Sequence, residues 1–289
     1  MSRTLRIDSH MHLFSPATPE YPRGIHPLHP AERDAYVDDY LPVMAANGID
    51  HAVIVALDHH DGYISQVVRD DPERFSAVGV VASDSQDPNL DFVTRYEQLP
   101  FLGFRVWELG DTSLPARKMR YFPLLESIRD RGIFVWFYGN ADQLAHLPRV
   151  LDEIPDLKVV LNHLGFSQTG FLTDEYDRPR IPTEIPPATL PLALALASYP
   201  NVNVHFSGQY AFSHEQYPYL DMRGLCSDLL DSFGAERLLW ASDWPWIRDV
   251  PGYDKCIDLV HSLLPTLTDE QRSLILGGNA ARLFDIQGG

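Results

Sequence analysis

The chain has 289 residues, 45% hydrophobic and 22% charged, the balance of a soluble globular protein with room for one large α/β domain or two small ones. Its 40 acidic and 23 basic residues give a net charge of −17, which argues against nucleic acid or an anionic membrane as partner. No apolar run is long enough for a membrane span, the opening M-S-R-T-L-R lacks a signal-peptide core, and Cys226 and Cys256 make no disulfide framework, so a cytoplasmic protein with reduced thiols is expected.

The predicted elements alternate from the start. The first strand carries Leu5 and Ile7 at a period of two and ends in I-D-S-H-M-H-L-F, residues 7–14. Residues two apart on a strand share a face, so His10 and His12 point the same way at its end. A Pro- and His-rich loop (15–30) leads to a helix over 35–47, closed by Gly48. Then come a strand at 51–57, a helix at 62–70, a strand at 75–82 and a helix at 90–98. A short strand at 103–107 precedes a helix at 118–131, closed by Gly132. Strand five spans 134–138 (F-V-W-F-Y), followed by a helix at 143–154, and strand six spans 157–163 (L-K-V-V-L-N-H). A helix at 190–198, strand seven at 202–206, a helix at 220–233 and strand eight at 237–241 follow. Helices at 253–264 and 269–284 finish the chain.

Eight strands, mostly short and continuously apolar, each followed by a helix, are the pattern of a single (β/α)₈ barrel over residues 1–289. No G-x-G-x-x-G follows any strand, which disfavours a doubly wound open sheet. A barrel places its chemistry at the C-terminal ends of the strands. Those ends carry His10 and His12, then Asp58, His59 and His60, then Arg105, Tyr138, His163, His205 with Ser207, and Asp243.

In order along the chain, H-M-H (10–12), N-H-L-G (162–165), N-V-N-V-H-F-S-G (201–208), A-S-D-W-P (241–245) and G-N-A-A-R-L-F (278–284) resemble the amidohydrolase superfamily, in its amidohydrolase-related branch. G-F-R (103–105), Tyr138 and His163 make it most similar to lactonases that open 2-pyrone-4,6-dicarboxylate and sugar lactones. The resemblance implies a hydrolase opening a small lactone or ester, carboxylated or sugar-derived. Two positions depart from the pattern: Tyr138 stands where metal-dependent relatives have histidine, and His205 where the branch has lysine.

Lactone hydrolysis needs a base for water, a group that polarises the carbonyl, and a cavity that positions the ring. Asp243 is the candidate base, with His10, His12 and His163 facing the developing oxyanion. No cofactor is required in the favoured form, given Tyr138. The alternative is one divalent metal, Zn²⁺, on His10, His12 and Asp243. Arg105, a charge inside an apolar strand, is the candidate anchor for a substrate carboxylate. Tyr138, His205 and Ser207 complete the expected substrate contacts. Arg178, Arg180 and Arg223, and loop histidines His26, His29, His59 and His60, are weaker candidates. A metal-dependent non-oxidative decarboxylase of an aromatic or enol acid is the alternative activity, and a ligand-binding barrel without catalysis a third. The expected partner is a small molecule; which lactone it is depends on the loops, and these motifs leave the oligomeric state open.

Overall fold

Short strands buried on both faces require protein above and below, and parallel pairing with crossover helices provides it. The computed structural model describes residues 5–82 and 84–287. Its strands are β1 (Ile7–Met11), β2 (His51–Val55), β3 (Phe75–Val80), β4 (Gly103–Val106), β5 (Phe134–Phe137), β6 (Lys158–Leu161), β7 (Val202–Phe206) and β8 (Leu238–Trp240). They pair in this order, all in parallel. The ends of the sheet meet through hydrogen bonds: Ser9 Oγ donates to the Trp240 carbonyl at 2.7 Å, and the Asp243 amide to the His10 carbonyl at 3.0 Å. This is the (β/α)₈ barrel that the alternation predicts.

Helices Val37–Asn47, Gly62–Asp70, Pro88–Tyr96, Phe122–Asp130, Ala141–Glu153, Leu190–Ala195, Arg223–Phe233 and Tyr253–Leu263 follow the eight strands in turn. The sequence reading misses the shorter turns. The helix expected at 118–131 starts at Phe122, after a 3₁₀ turn at Ala116–Lys118. The stretch after β7 holds a short helix at Gln209–Phe212, and residues Leu172–Thr173 pair with Pro179–Arg180 as a small hairpin. Segments this short have no period to read.

The last predicted helix is broken for a packing reason. Helix Asp269–Ser273 passes through a π segment, Leu274–Gly278, into helix Asn279–Phe284. At the break, Gly277 lies directly on the backbone of residues 5–7; a Cβ there would stand 2.1 Å from the Leu5 carbonyl oxygen. The last helix thereby reaches under the barrel. Phe284 stacks on Trp136 at 5.3 Å, among Ile7, Val53, Val160 and Leu239. The lower half of the barrel is therefore solid, and polar groups have space only at the opposite mouth.

One register irregularity aims the first strand. Asp8 pairs with Ala52 but Met11 with Ile54, so three steps on β1 match two on β2. That bulge turns Asp8 toward the helical layer while His10, two residues on, faces the barrel axis.

Gly277→Ala should lower unfolding free energy by about 3 kcal/mol, because its methyl meets backbone that cannot yield. Gly224→Ala, in a helix with nothing within 4 Å of the new carbon, should instead raise it by about 0.5–1 kcal/mol. Urea denaturation of both variants checks the pair.

Candidate active site

The mouth is assembled where β8 runs out against β1. Asp8, fully buried, accepts the Ser242 amide at 2.9 Å, the Ser242 hydroxyl at 2.5 Å, Tyr40 Oη at 2.9 Å and Tyr253 Oη at 2.7 Å. Burial pushes its carboxyl pKa up, and these four donors partly offset the rise. The Ser242 hydroxyl in turn accepts the Trp244 amide at 2.9 Å. The His12 amide donates to the Trp244 carbonyl at 2.7 Å. Between these ties Asp243 takes φ 61°, a left-handed conformation that Asp tolerates better than most side chains. His163 does the same at the end of β6, with φ 47°.

These turns bring the sequence-predicted residues together. Imidazole centroids lie 5.0 Å apart for His10 and His12, 5.1 Å for His10 and His163, and 5.3 Å for His10 and His205. Asp243 Oδ1 stands 3.3 Å from His12 Nε2 and 3.8 Å from His10 Nε2. Its other oxygen, Oδ2, accepts Tyr210 Oη at 2.6 Å. Sequence reasoning missed both Tyr210 and Asp8. Tyr210 lies in a loop whose closeness to Asp243 no local pattern signals, and Asp8 has the expected polarity but the opposite direction.

The environment fixes protonation. Burial, followed by neighbouring imidazoles and Arg105, holds His10 well below its ordinary pKa. Burial likewise brings His163 down to about 4, with Arg105 and His12 adding to the effect of burial. Both are neutral at pH 7. For Asp243 burial favours the acid form, but His163, His12 and the Tyr210 hydroxyl outweigh it and hold the carboxyl well below the usual range. The centre therefore combines a carboxylate with the neutral imidazoles of His10 and His163.

The same atoms fit a divalent cation. Ligand atoms of His10, His163 and Asp243 all lie within 4.8 Å of one another. Neither ring nitrogen of His10, nor Asp243 Oδ1, has a hydrogen-bond partner among the described residues, although all are buried. His12 donates Nδ1–H to the Val55 carbonyl at 2.7 Å, so in the neutral ring a lone pair at Nε2 faces Asp243. Two acceptors face each other at ease only with a proton or cation between them. The cluster thus has His163 where His12 is the expected ligand, with His12 Nε2 beside Asp243 at 3.3 Å, and it gives no support to the expectation that no metal is needed.

Above the cluster opens a cavity of about 240 Å³, lined among others by His12, His163, Asp243, Arg105 and Tyr138. Arg105 is buried, makes no ion pair among the described residues, and lies against the rings of Tyr138 (5.3 Å) and Trp107 (5.5 Å). Burial lowers its pKa and pushes that of Tyr138 up. Three expected residues lie below the cavity lining. His10 and His205 have no exposed surface, and Ser207 supports His163 Nδ1 at 3.0 Å. His26 and His29 do line it, whereas His59 and His60 sit with Asp58 on a neighbouring loop. Arg178 pairs with Asp174 at 2.8 Å, Arg180 reaches the Tyr210 carbonyl at 3.4 Å, and Arg223 reaches the Ser262 carbonyl at 3.0 Å, none of them lining the cavity.

A family model described as Amidohydrolase matches residues 7–286. An L-fucono-1,5-lactonase from Burkholderia ambifaria is 25% identical over 98% of this chain and 96% of its own length. A 4-sulfomuconolactone hydrolase from Rhizobium radiobacter is 25% identical over 96% of this chain and 89% of its own. The crystal structure of an amidohydrolase from Burkholderia multivorans with bound zinc superposes with a TM-score of 0.73 at 23% identity, covering 98% of this chain and 100% of that one, and shows the same fold.

Replacing Asp8 by Asn should cost about 2–4 kcal/mol of stability, because an amide NH₂ would face donors that the carboxylate now satisfies. Urea denaturation measures the loss; a change under about 0.5 kcal/mol, the level of an ordinary surface substitution, would contradict this role.

Proposed function

The chain belongs to the amidohydrolase family, and from that premise we propose that it is a hydrolase opening small lactones, with Asp243 as the base. The observation that carries this reading is the carboxylate itself. Tyr210 occupies Oδ2, while Oδ1, without a hydrogen-bond partner among the described residues, faces His12 and His10 at the base of the cavity that Asp243 lines. The reactions named for the two lactonase relatives support the same chemistry.

In the proposed reaction the ring carbonyl lies above His12 and His163. Water adds to the carbonyl carbon as Asp243 takes its proton. The ring C–O bond then breaks, and Asp243 returns the proton to the departing ring oxygen, giving a hydroxy acid. Any carboxyl is a far stronger acid than an alcohol, so the protonated Asp243 can return its proton to the departing alkoxide. His163 is adaptable because its Nδ1 rests on a hydroxyl. Ser207 can donate or accept, leaving Nε2 as either an N–H toward an oxyanion or a lone pair toward a cation. His10, His163 and Asp243, with His12 beside them, would hold a divalent metal such as Zn²⁺, which when bound supplies Lewis acidity at the carbonyl and lowers the pKa of water. Arg105 grips a substrate carboxylate, because a buried guanidinium without an ion-pair partner gains most from an anion brought to it.

Asp243→Asn preserves shape but cannot take the water's proton. Its kcat on a lactone panel followed with a pH indicator should fall about 10²–10⁴-fold, with unchanged circular dichroism. Zn²⁺ uptake, measured by metal analysis after equilibrium dialysis, should weaken in the same variant. A folded Asp243→Asn protein with wild-type kcat would refute the assignment.

A further inference from the structure

The cavity lining divides by origin. The ionisable groups nearest the cluster come from the strand ends, His12, Arg105, Tyr138, His163 and Asp243, and Gln168, Thr169 and Tyr210, with His26 and His29, are the polar loop residues of the lining. The loops above contribute mostly carbon, from Leu28, Phe171, Ile181, Phe212 and Trp246. Arg105 is the one Lys or Arg among the described lining residues, in a chain of net charge −17. The other arginines near the mouth are engaged elsewhere. Arg178 is paired with Asp174, and Arg33 stacks over Trp246 at 4.9 Å while donating to the Leu28 and Asp177 carbonyls.

The two roof histidines add no second charge. His26 and His29 stack with centroids 5.2 Å apart, and His26 meets Phe171 at 4.7 Å. Burial, with Arg23 and His26 as lesser causes, brings the His29 pKa down to about 4, so its ring is neutral at pH 7. Together these rings extend an aromatic ceiling.

Such a lining discriminates by what it leaves unsatisfied. A second carboxylate would be desolvated without a cation to meet it. A sugar-lactone hydroxyl turned toward the carbon of the roof would lose water without gaining a partner. An alkyl or aryl group would gain from every part of its surface that the roof covers.

We propose that the preferred substrate is a lactone bearing one carboxylate, held by Arg105, and one apolar substituent, held under the Leu28–Phe171–Ile181 roof, rather than a sugar lactone or a dicarboxylate. This rests on the lactone-hydrolase reading and narrows it.

The test uses the full chain and a matched panel. It comprises a monocarboxylated γ-lactone with and without a phenyl substituent, the phenyl lactone without its carboxylate, a six-carbon sugar lactone, and 2-pyrone-4,6-dicarboxylate. Hydrolysis is followed with a pH indicator, and binding of the matching non-hydrolysable cyclic-ether acids by calorimetry. The phenyl monoacid should exceed the sugar lactone and the dicarboxylate in kcat/KM by at least about 30-fold, the equivalent of about 2 kcal/mol. Arg105→Met should remove the advantage of the carboxylate, and Ile181→Thr that of the phenyl group; Leu28→Ser serves should Ile181→Thr not fold. Best turnover of the sugar lactone or the dicarboxylate would overturn the proposal and leave lactone hydrolysis standing. Selective binding of the phenyl ether acid without hydrolysis of any lactone would uphold the recognition and sink the hydrolase reading. Neither binding preference nor hydrolysis would sink both.

Discussion

The mouth of this barrel depends on one buried carboxylate that does no chemistry. Asp8 gathers Ser242, Tyr40 and Tyr253 and so joins β1, the turn after β8 and the helices beginning at Val37 and Tyr253. A desolvated carboxylate is tolerated only when its lone pairs are filled, so this junction has little freedom to rearrange. The Asp243 and His12 amides are fixed to the opposite strand on either side of it. The orientation of the Asp243 carboxylate is thereby set by groups outside the cavity, leaving the cavity side free for a ligand.

Burial performs two tasks at the same depth. Below, Trp136 and Phe284 fill the axis and exclude water. Above, the same low polarity removes the positive charge from His10 and His163, so their nitrogens face the Asp243 carboxylate as neutral groups. Charged imidazoles would neutralise Asp243 as ion pairs and repel a cation. Neutral ones offer lone pairs to a metal or N–H groups to an oxyanion. His205 lies deeper still, between His10 and Trp136, and reads as a wedge that keeps the His10 ring upright.

Much of this was legible in the sequence, for a physical reason. Parallel barrel strands are buried on both faces, so their apolar runs stand out and their polar ends mark the mouth. His10, His12, His163, Asp243 and Arg105 were all visible in that way. Direction was harder to read. Strand alternation puts Asp8 on the same face as His10, and the bulge in β1 reverses it. Register shifts of that kind depend on a partner strand some 40 residues away. Contacts made by loops are not legible at all, so no sequence pattern points to Tyr210, and the pattern places His205 and Ser207 in contact with substrate where the structure has them behind the other histidines. The broken last helix shows the same limit: apolar periodicity runs across Gly277, and only the approach of the residue 5–7 backbone explains the break.

The claim that bears the most weight is that Asp243 takes a proton from water rather than attacking the carbonyl itself. A single turnover in oxygen-18 water, with enzyme in excess over lactone and quenched in acid during the turnover, separates these routes by mass spectrometry of the product, of the peptide containing Asp243 and of the intact protein, which an acyl-enzyme would make heavier by the mass of the lactone. If Asp243 is the base, the heavy oxygen appears in the new carboxyl group of the product in the first turnover and Asp243 stays unlabelled. An unlabelled first product with heavy oxygen in the Asp243 carboxyl would mean that an acyl-enzyme forms, and would contradict the account.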